Sequence, residues 1–599
     1  MNVFRHDIVI VGGGGAGLRA AIEAAENHPN ASIALVSKVY PMRSHTVSAE
    51  GGAAAVARED DNLELHGFDT VKGSDFLGDQ DCIVYFVEQA PKELALLENW
   101  GCPFSRNEDG TVATRAFGGM TTKRTWYAAD KIGFHMLHAL FQHSMRFKNI
   151  VRYDEYFVSK LLVDGGACGG VAALDIRTGE YCSILGRGVI LTTGGGGKIF
   201  PFTTNGTIKT ADGMALAYRA GVPLKDMEFV QYHPTGLPNT GSLLTEACRG
   251  EGGLLLNKDG YRYLQDYGLG PATPKPVNKA MELGPRDRLS QAFWYEQQKG
   301  RTLEGVHGSY VHLDLRHLGE AYLRERLPQI YEMAEEFLGI DPAKTPIPVR
   351  PAVHYTMGGI EVNGRCASPL KGLYAAGECA SVGIHGANRL GSNSLAELGV
   401  FGKVAGEEAA RFAREHPSAA AGIEAQASAV EKRVRGMVPN GKGGSKGSER
   451  IATLRKEMAA SMENGCGIYR TAEAMQATCD KLAELKDRFA HIRLDDTSSV
   501  FNTEWLAAIE LDYQLDVART MAHSALLRRE SRGAHQRLDG FDKRDDVNFL
   551  CHSLANYREG AAPQITTMPV TITRSPPGQR AYGALGEQLE AARKDGAHA

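Results

Sequence analysis

Short apolar runs and glycine-rich breaks alternate over the first forty residues in an order that predicts strand, turn, helix, strand. Asp7 to Val11 (DIVIV) is apolar, GGGGAG follows, LRAAIEAAEN spaces its apolar positions as a helix does, and Ser32 to Val36 supplies a second strand. Two later apolar strands also run into glycine turns, at ILTTGGGGK (190–198) and GLYAAGECA (372–380). Between them, 238–352 places polar residues beside glycine and proline turns and includes VHLDLRHLGEAYLRERL, which reads as helix. After Phe401 the pattern becomes helical throughout. Ile451, Leu454, Met458 and Met462, then Met475, Leu482, Leu485 and Phe489, recur at helical spacing and predict the core faces of a bundle. The Ala-rich HPSAAAG and the glycine-rich PNGKGGSKGS at 439–448 predict breaks, the latter flexible. The end, ITTMPVTITRSPPGQRAYG, alternates like a strand before a charged, fraying tail.

In the first unit Gly12, Gly14 and Gly17 satisfy GxGxxG between a strand and a helix. Glycines there let the chain turn tightly and bring a pyrophosphate against the helix N-terminus. A nicotinamide-binding unit would end its second strand in Asp or Glu for the ribose hydroxyls; this one ends in Ser37-Lys38, which leans toward a flavin nucleotide. Glu378, on the late glycine stretch, is placed to return to such a cofactor. The expected fold is α/β. Residues 1–237 and 353–417 form a discontinuous Rossmann-like FAD-binding domain and 238–352 an inserted α+β capping domain. A helical domain (418–545) and a C-terminal domain (546–599) follow.

Composition narrows this little. With 599 residues, 43% hydrophobic and 23% charged, the chain is long enough for several domains. A net charge of −4 gives no argument for nucleic acid or a membrane surface. No apolar run approaches a membrane span, and a strand beginning within seven residues of Met1 leaves no room for a signal peptide. The 10 cysteines contain no CxxC and no metal-ligand spacing, so free thiols in a reducing cytoplasm are expected, with Cys248 a candidate for the edge of a site.

One stretch adds chemistry. RSHTVSAEGG (43–52) follows the first unit, and a neutral histidine is a competent nucleophile within reach of a flavin ring. Arg43, Ser44, His45, Thr46, Ala49, Gly51 and Gly52 match the covalent-flavin signature of the flavoprotein subunits of fumarate reductase and succinate dehydrogenase. The chain resembles that family over nearly all its length, through QYHPTG, TEACRGEGG, GPRD, HYTMGG, GECASVGIHGANRLGSNSL and RESRGAH.

The resemblance implies FAD linked through its 8α position to His45. It implies FAD contacts from Gly12, Gly13, Gly14, Gly15, Ala16, Gly17, Ser37, Lys38, Ser44, Thr46, Gly51, Gly52, Asp212, Tyr355, Glu378, Arg389, Ser394 and Leu395. A dicarboxylate substrate demands cations and donors in a dry pocket. His354 and Arg389 are implied as clamps on one carboxylate, His233 and Thr245 on the other, with Gly52 and Phe117 completing the contacts. Arg286 is implied as proton donor to the substrate carbon that does not receive hydride, resupplied by Glu246 and Arg249. The plain alternative for that Glu and two Arg is a structural ion-pair network.

The chain has no second GxGxxG unit and no cysteine set for a cluster or CxxCH for haem, so a partner must exchange its electrons. The resemblance implies an iron-sulfur subunit seated on membrane anchor subunits that handle quinone, on the cytoplasmic face of the inner membrane. The mixed-charge segment RESRGAHQRLDGFDKRDD (529–546) is the expected subunit-facing loop, a solvated helix end being the other reading. The fumarate-reducing direction leads, on Glu50 and PMRSHT; succinate dehydrogenase is second. Soluble L-aspartate oxidase is disfavoured by RSHT, and a non-catalytic flavin carrier by the arginine and carboxylate clamps.

Overall fold

The structure, a computed structural model, describes residues 2–270, 281–416, 423–435 and 447–582. Most of 416–422 and of 439–448, and the end of the tail, lie outside these. At the centre is a parallel five-stranded sheet in the order 373–375, 188–191, 8–11, 33–37, 150–154. Its apolar strands are buried on both faces, as parallel sheets require. The helix Gly15–Asn27 packs between this sheet and the long helix Asn393–Glu415. Close approach depends on missing side chains: a methyl on Gly402 or Gly406 would press into the backbone of Ala16 or Ala20. A four-stranded sheet, led by Asn2–Arg5 beside Tyr181–Leu185, flanks the centre.

Residues between Leu237 and Val349 build a second, separate apolar core. Its sheet joins Val230–Gly236, Ile347–Thr356, Gly308–Asp314 and Leu254–Leu256. The first two strands lead out of the nucleotide-binding lobe, so this lobe is hinged on the strands that carry His233 and His354. VHLDLRHLGEAYLRERL is only partly helix. Ser309, Val311 and Leu313 are buried while Tyr310 and His312 are half-buried, a period of two, so Gly308–Asp314 is a strand and the helix begins at Glu320.

Helices Ile451–Cys466, Ala472–Phe489 and Thr503–Leu527 pack on one another, and all eight positions named from their spacing are buried. They share one continuous core with the nucleotide-binding lobe. The strands Cys551–Asn556 and Gln564–Pro569 extend a sheet begun by Leu224–Lys225 and Gly359–Glu361, so the late chain is built onto the first lobe. The segment 529–546 is not a solvated loop along its length. Glu530, Arg532, His535 and Arg537 are buried, joined by Arg528–Glu228, Arg528–Glu530 and Arg532–Glu530 ion pairs; Arg529 is exposed, and beyond Arg537 the segment is exposed or half-buried. Opposite charges, some close in sequence and one 300 residues away, neutralise one another inside instead of facing water. Cys248 is fully buried in the second core and is not among the residues lining the cavity described below. Among the described residues no helix is long and apolar enough to cross a membrane, and no cluster could hold a metal ion.

Candidate active site

A cavity of about 940 Å³ runs from the glycine turn of the first unit to the junction of the two cores. Every site residue expected from the sequence lines it except Gly17 and Arg249. Both absences have a reason. A methyl on Gly17 would overlap the carbonyl oxygen of Gly12, so its role is helix–strand contact. Arg249 stands behind Glu246, 3.6 Å from its Oε2, and donates to the Glu282 carbonyl.

The nucleotide end is a cradle of bare backbone. Gly12 has φ +116° and Gly13 and Gly14 lie open to the cavity at the start of the helix Gly15–Asn27, whose first turn has no acidic side chain. Unpaired amides and the positive helix end suit a pyrophosphate. Gly15 N–H already donates to Thr46 Oγ1 at 3.1 Å, tying the turn to the RSHT segment. Ser37 and Lys38 reach the cavity, but the Lys38 ammonium is occupied by Asp212 (2.6 Å), Thr210 (2.7 Å) and Glu510 (2.9 Å). Glu378 is paired with Lys209 and accepts from the Thr356 N–H at 3.1 Å.

His45 opens the 3₁₀ turn His45–Ser48. Its Nδ1 accepts from Gly206 N–H at 3.4 Å. Burial and then the nearby Lys209 and Lys198 hold its pKa well below 6.5, so the ring is neutral at physiological pH. A neutral ring keeps the lone pair that nucleophilic attack needs.

At the other end the charges converge. His233 lies on Val230–Gly236 and His354 on the paired strand Ile347–Thr356, their rings 5.1 Å apart. His233 Nδ1 accepts from Thr235 N–H at 3.3 Å, which makes its buried Nε2 a donor; among the described residues that atom has no partner. Burial, with Arg286, Arg249 and Arg389 nearby, holds His233 well below 6.5. His354 bonds Thr204 Oγ1 through Nδ1 at 2.7 Å, and is likewise held neutral by burial and then by Arg286.

Arg286 is the first residue of helix Arg286–Gln298. It donates from Nε to Glu246 Oε2 at 2.8 Å and from Nη1 to Gln231 Oε1 at 3.2 Å. Arg389 donates to the same Gln231 oxygen at 3.1 Å and to Ser394 at 3.1 Å, and stacks over the Tyr355 ring at 4.4 Å. Burial and the neighbouring Arg286 bring Arg389 down to about 10. Arg286, Arg249 and Arg389 stand against the single carboxylate of Glu246, and the positive excess in this buried pocket is what a doubly charged anion requires. Phe117 walls the site, its ring against Gly51 and Gly391 where side chains would collide with it.

Sequence reasoning missed Gln231. It stands two residues before His233 on one strand, hence on the same face, and that alternation was the available signal. It also missed Lys209, Thr204 and Gly206, which sit on a loop with no pattern of its own.

A family model described as "FAD binding domain" matches residues 7–395, and one described as "Fumarate reductase flavoprotein C-term" matches 455–582. The chain belongs to the fumarate reductase flavoprotein family. It is similar to the fumarate reductase flavoprotein subunit of Proteus vulgaris, 59% identical with 97% of each chain covered. A solved chain of Escherichia coli quinol fumarate reductase superposes with a TM-score of 0.94 at 57% identity, covering 97% of this chain and 99% of that one. The succinate dehydrogenase flavoprotein subunit of Coxiella burnetii is 41% identical, with 97% and 99% covered. FAD is therefore the nucleotide of this family's glycine cradle.

Proposed function

We propose that this chain is the flavoprotein subunit of a quinol:fumarate reductase, reducing fumarate to succinate at the junction of its two lobes. The observation that carries the reading is the convergence of Arg286, Arg389, His233 and His354 on one cavity whose far end is the glycine cradle. The residues fit FAD: bare amides at a helix N-terminus for the pyrophosphate, and a neutral His45 on the cavity wall that keeps one ring lone pair for the covalent bond. Bound there, FAD supplies two-electron hydride chemistry.

The protein's own groups do the rest. His354 and Arg389 hold one carboxylate, and His233 Nε2 with Thr245 holds the other. Clamping both ends orients the alkene and draws electron density from it. Arg286 then gives a proton to one alkene carbon. A guanidinium holds its proton to a pKa of ~12 or above, so this donation requires immediate resupply. Glu246, in contact with Arg286 and backed by Arg249, is the next acceptor and donor in line. The lobe 238–352 closes the site from water, which strengthens each of these charges.

Electrons enter through a partner. An iron-sulfur subunit on membrane anchor subunits is the partner proposed, on the cytoplasmic face of the inner membrane, and the exposed and half-buried stretch from Leu538 to Asn548 is the part of the late segment open to it. The greater identity to fumarate reductase subunits than to the succinate dehydrogenase subunit favours the reductive direction.

The test is direct. Acid-denatured protein should keep yellow fluorescence on the polypeptide, and the assembled complex should reduce fumarate with reduced viologen. Arg286→Gln should abolish that turnover while the flavin stays attached. Colour lost on denaturation, or substantial activity in R286Q, contradicts the assignment. Faster succinate oxidation with the natural quinone would reverse the direction while leaving the residues in place.

A further inference from the structure

The last described stretch, 571–582, has no apolar core of its own: from Thr571 to Gln579 each residue is exposed or half-buried. It is nevertheless pinned along its length. Thr571 N–H donates to Asp79 Oδ1 at 2.8 Å. The Gln80 carboxamide oxygen accepts from the amides of Thr573, Arg574 and Ser575 at 2.8 to 3.1 Å, while its nitrogen donates to the Ser575 carbonyl at 2.6 Å. Arg544 donates to the Gly578 carbonyl at 2.7 Å. The stretch then turns inward, and Arg580 is 8% exposed.

Arg580 makes a bidentate pair with Asp287, at 2.5 and 3.1 Å, and donates to the Gly73 carbonyl at 3.3 Å. Asp287 follows Arg286 in the first turn of helix 286–298, on the lobe with its own core. Gly73 ends a helix of the nucleotide-binding side, and its carbonyl also accepts from Asn388, which accepts from Gln231. One buried guanidinium therefore ties the helix that aims Arg286 to the network that aims Arg389. A fork of this kind fixes direction as well as distance.

We propose that residues 571–582 form a strap across the two lobes and that Arg580, through Asp287, is a positioning residue for Arg286. The proposal rests on the reading of Arg286 as proton donor. Arg580 touches no substrate. It holds the first turn of the donor's helix against the nucleotide-binding lobe when the cavity is closed. Releasing it loosens the donor while His354 and Arg389 stay on their own lobe, so turnover should suffer more than substrate capture.

The experiment compares the assembled complex carrying R580Q, D287N, both, or R580K with wild type, rates being expressed per bound flavin. In R580Q the kcat for fumarate should fall about tenfold and KM should stay within threefold. D287N should match it, the double variant should lose no more than either alone, and R580K should recover part of kcat. Amide hydrogen exchange over 281–298 should accelerate in R580Q and D287N. Wild-type kcat and exchange in R580Q, or single losses that multiply in the double variant, overturn the strap. If R580Q does not accumulate, D287N and R580K carry the same comparison. Wild-type complex that fails to reduce fumarate would instead sink the functional reading, which separates the two failures.

Discussion

Arg286 Nε lies 2.8 Å from Glu246 Oε2, both side chains are buried, and the second Glu246 oxygen accepts from the Gly118 N–H. Burial alone would raise the Glu246 pKa, yet Arg286 and then Arg249 outweigh it and the net shift is downward. The carboxylate is thus ionised and fixed in place, so in the proposed relay it must first accept a proton before it can pass one to Arg286. An ion pair of purely structural use needs no such placement at the cavity wall.

Replacing Glu246 by Gln keeps the shape and removes the proton acceptor. The expected result is a loss of about 10²-fold or more in kcat with KM for fumarate little changed, the size general acid–base groups contribute. Steady-state kinetics in the assembled complex measures this. A KM effect without a kcat effect would make the pair structural.

Gln231 offers a second test. Its Oε1 is the shared acceptor for Arg286 and Arg389. Leucine at 231 would leave two buried guanidiniums facing each other with one bond fewer apiece, a cost of ~1–3 kcal/mol for each unsatisfied group. kcat/KM should fall by about 10- to 100-fold while covalent flavin content stays near wild type. Activity within twofold of wild type would remove Gln231 from the site.

Much of the fold and of the site is legible in the order of residues alone. The strand, glycine turn and helix of the first unit need only local chemistry, and the bundle helices need only spacing, so both appear where the sequence puts them. VHLDLRHLGEAYLRERL misleads because Val311, Leu313 and Leu315 satisfy a period of two while the rest of the stretch satisfies a helix; the partner strand Ile347–Thr356 decides between them. The charges of 529–537 mislead for a different reason. Sequence shows Glu530 set between arginines, but not that Glu228, 300 residues before Arg528, pairs with that arginine inside the fold. Gln231 stays hidden because a neutral side chain announces nothing until two arginines are seen to share it.

The cradle makes its own prediction. Gly17 sits so close to the Gly12 carbonyl that a methyl cannot fit, and Gly12 holds a φ of +116° that side chains disfavour. Gly17→Ala should push the first helix turn off the strand and give protein with little or no bound FAD, read from absorbance at the flavin bands. Normal flavin content would show that the turn does not set the pyrophosphate site.

His552 predicts how stability follows pH. It is fully buried, with Nδ1 2.6 Å from Asp226 Oδ2, Nε2 3.2 Å from Asp79 Oδ2, and Lys225 3.7 Å from that same Asp79 oxygen. Burial by itself would lower its pKa, but Asp226 and Asp79 reverse that and lift it from 6.5 to about 9. A folded pKa above the unfolded one means the charged ring stabilises the fold in full below pH 6.5, progressively less as pH rises, and not at all above about 9. The shift corresponds to about 3 kcal/mol. Because His552 lies on the strand that joins the late chain to Leu224–Lys225, that loss should loosen the root of the segment that continues to Arg580. Urea unfolding at pH 6, 7.5 and 9.5 should show the advantage of wild type over His552→Gln shrinking by about this amount across the range. A gap that stays constant with pH would mean that His552 is neutral in the folded chain and that packing, not charge, holds the strand.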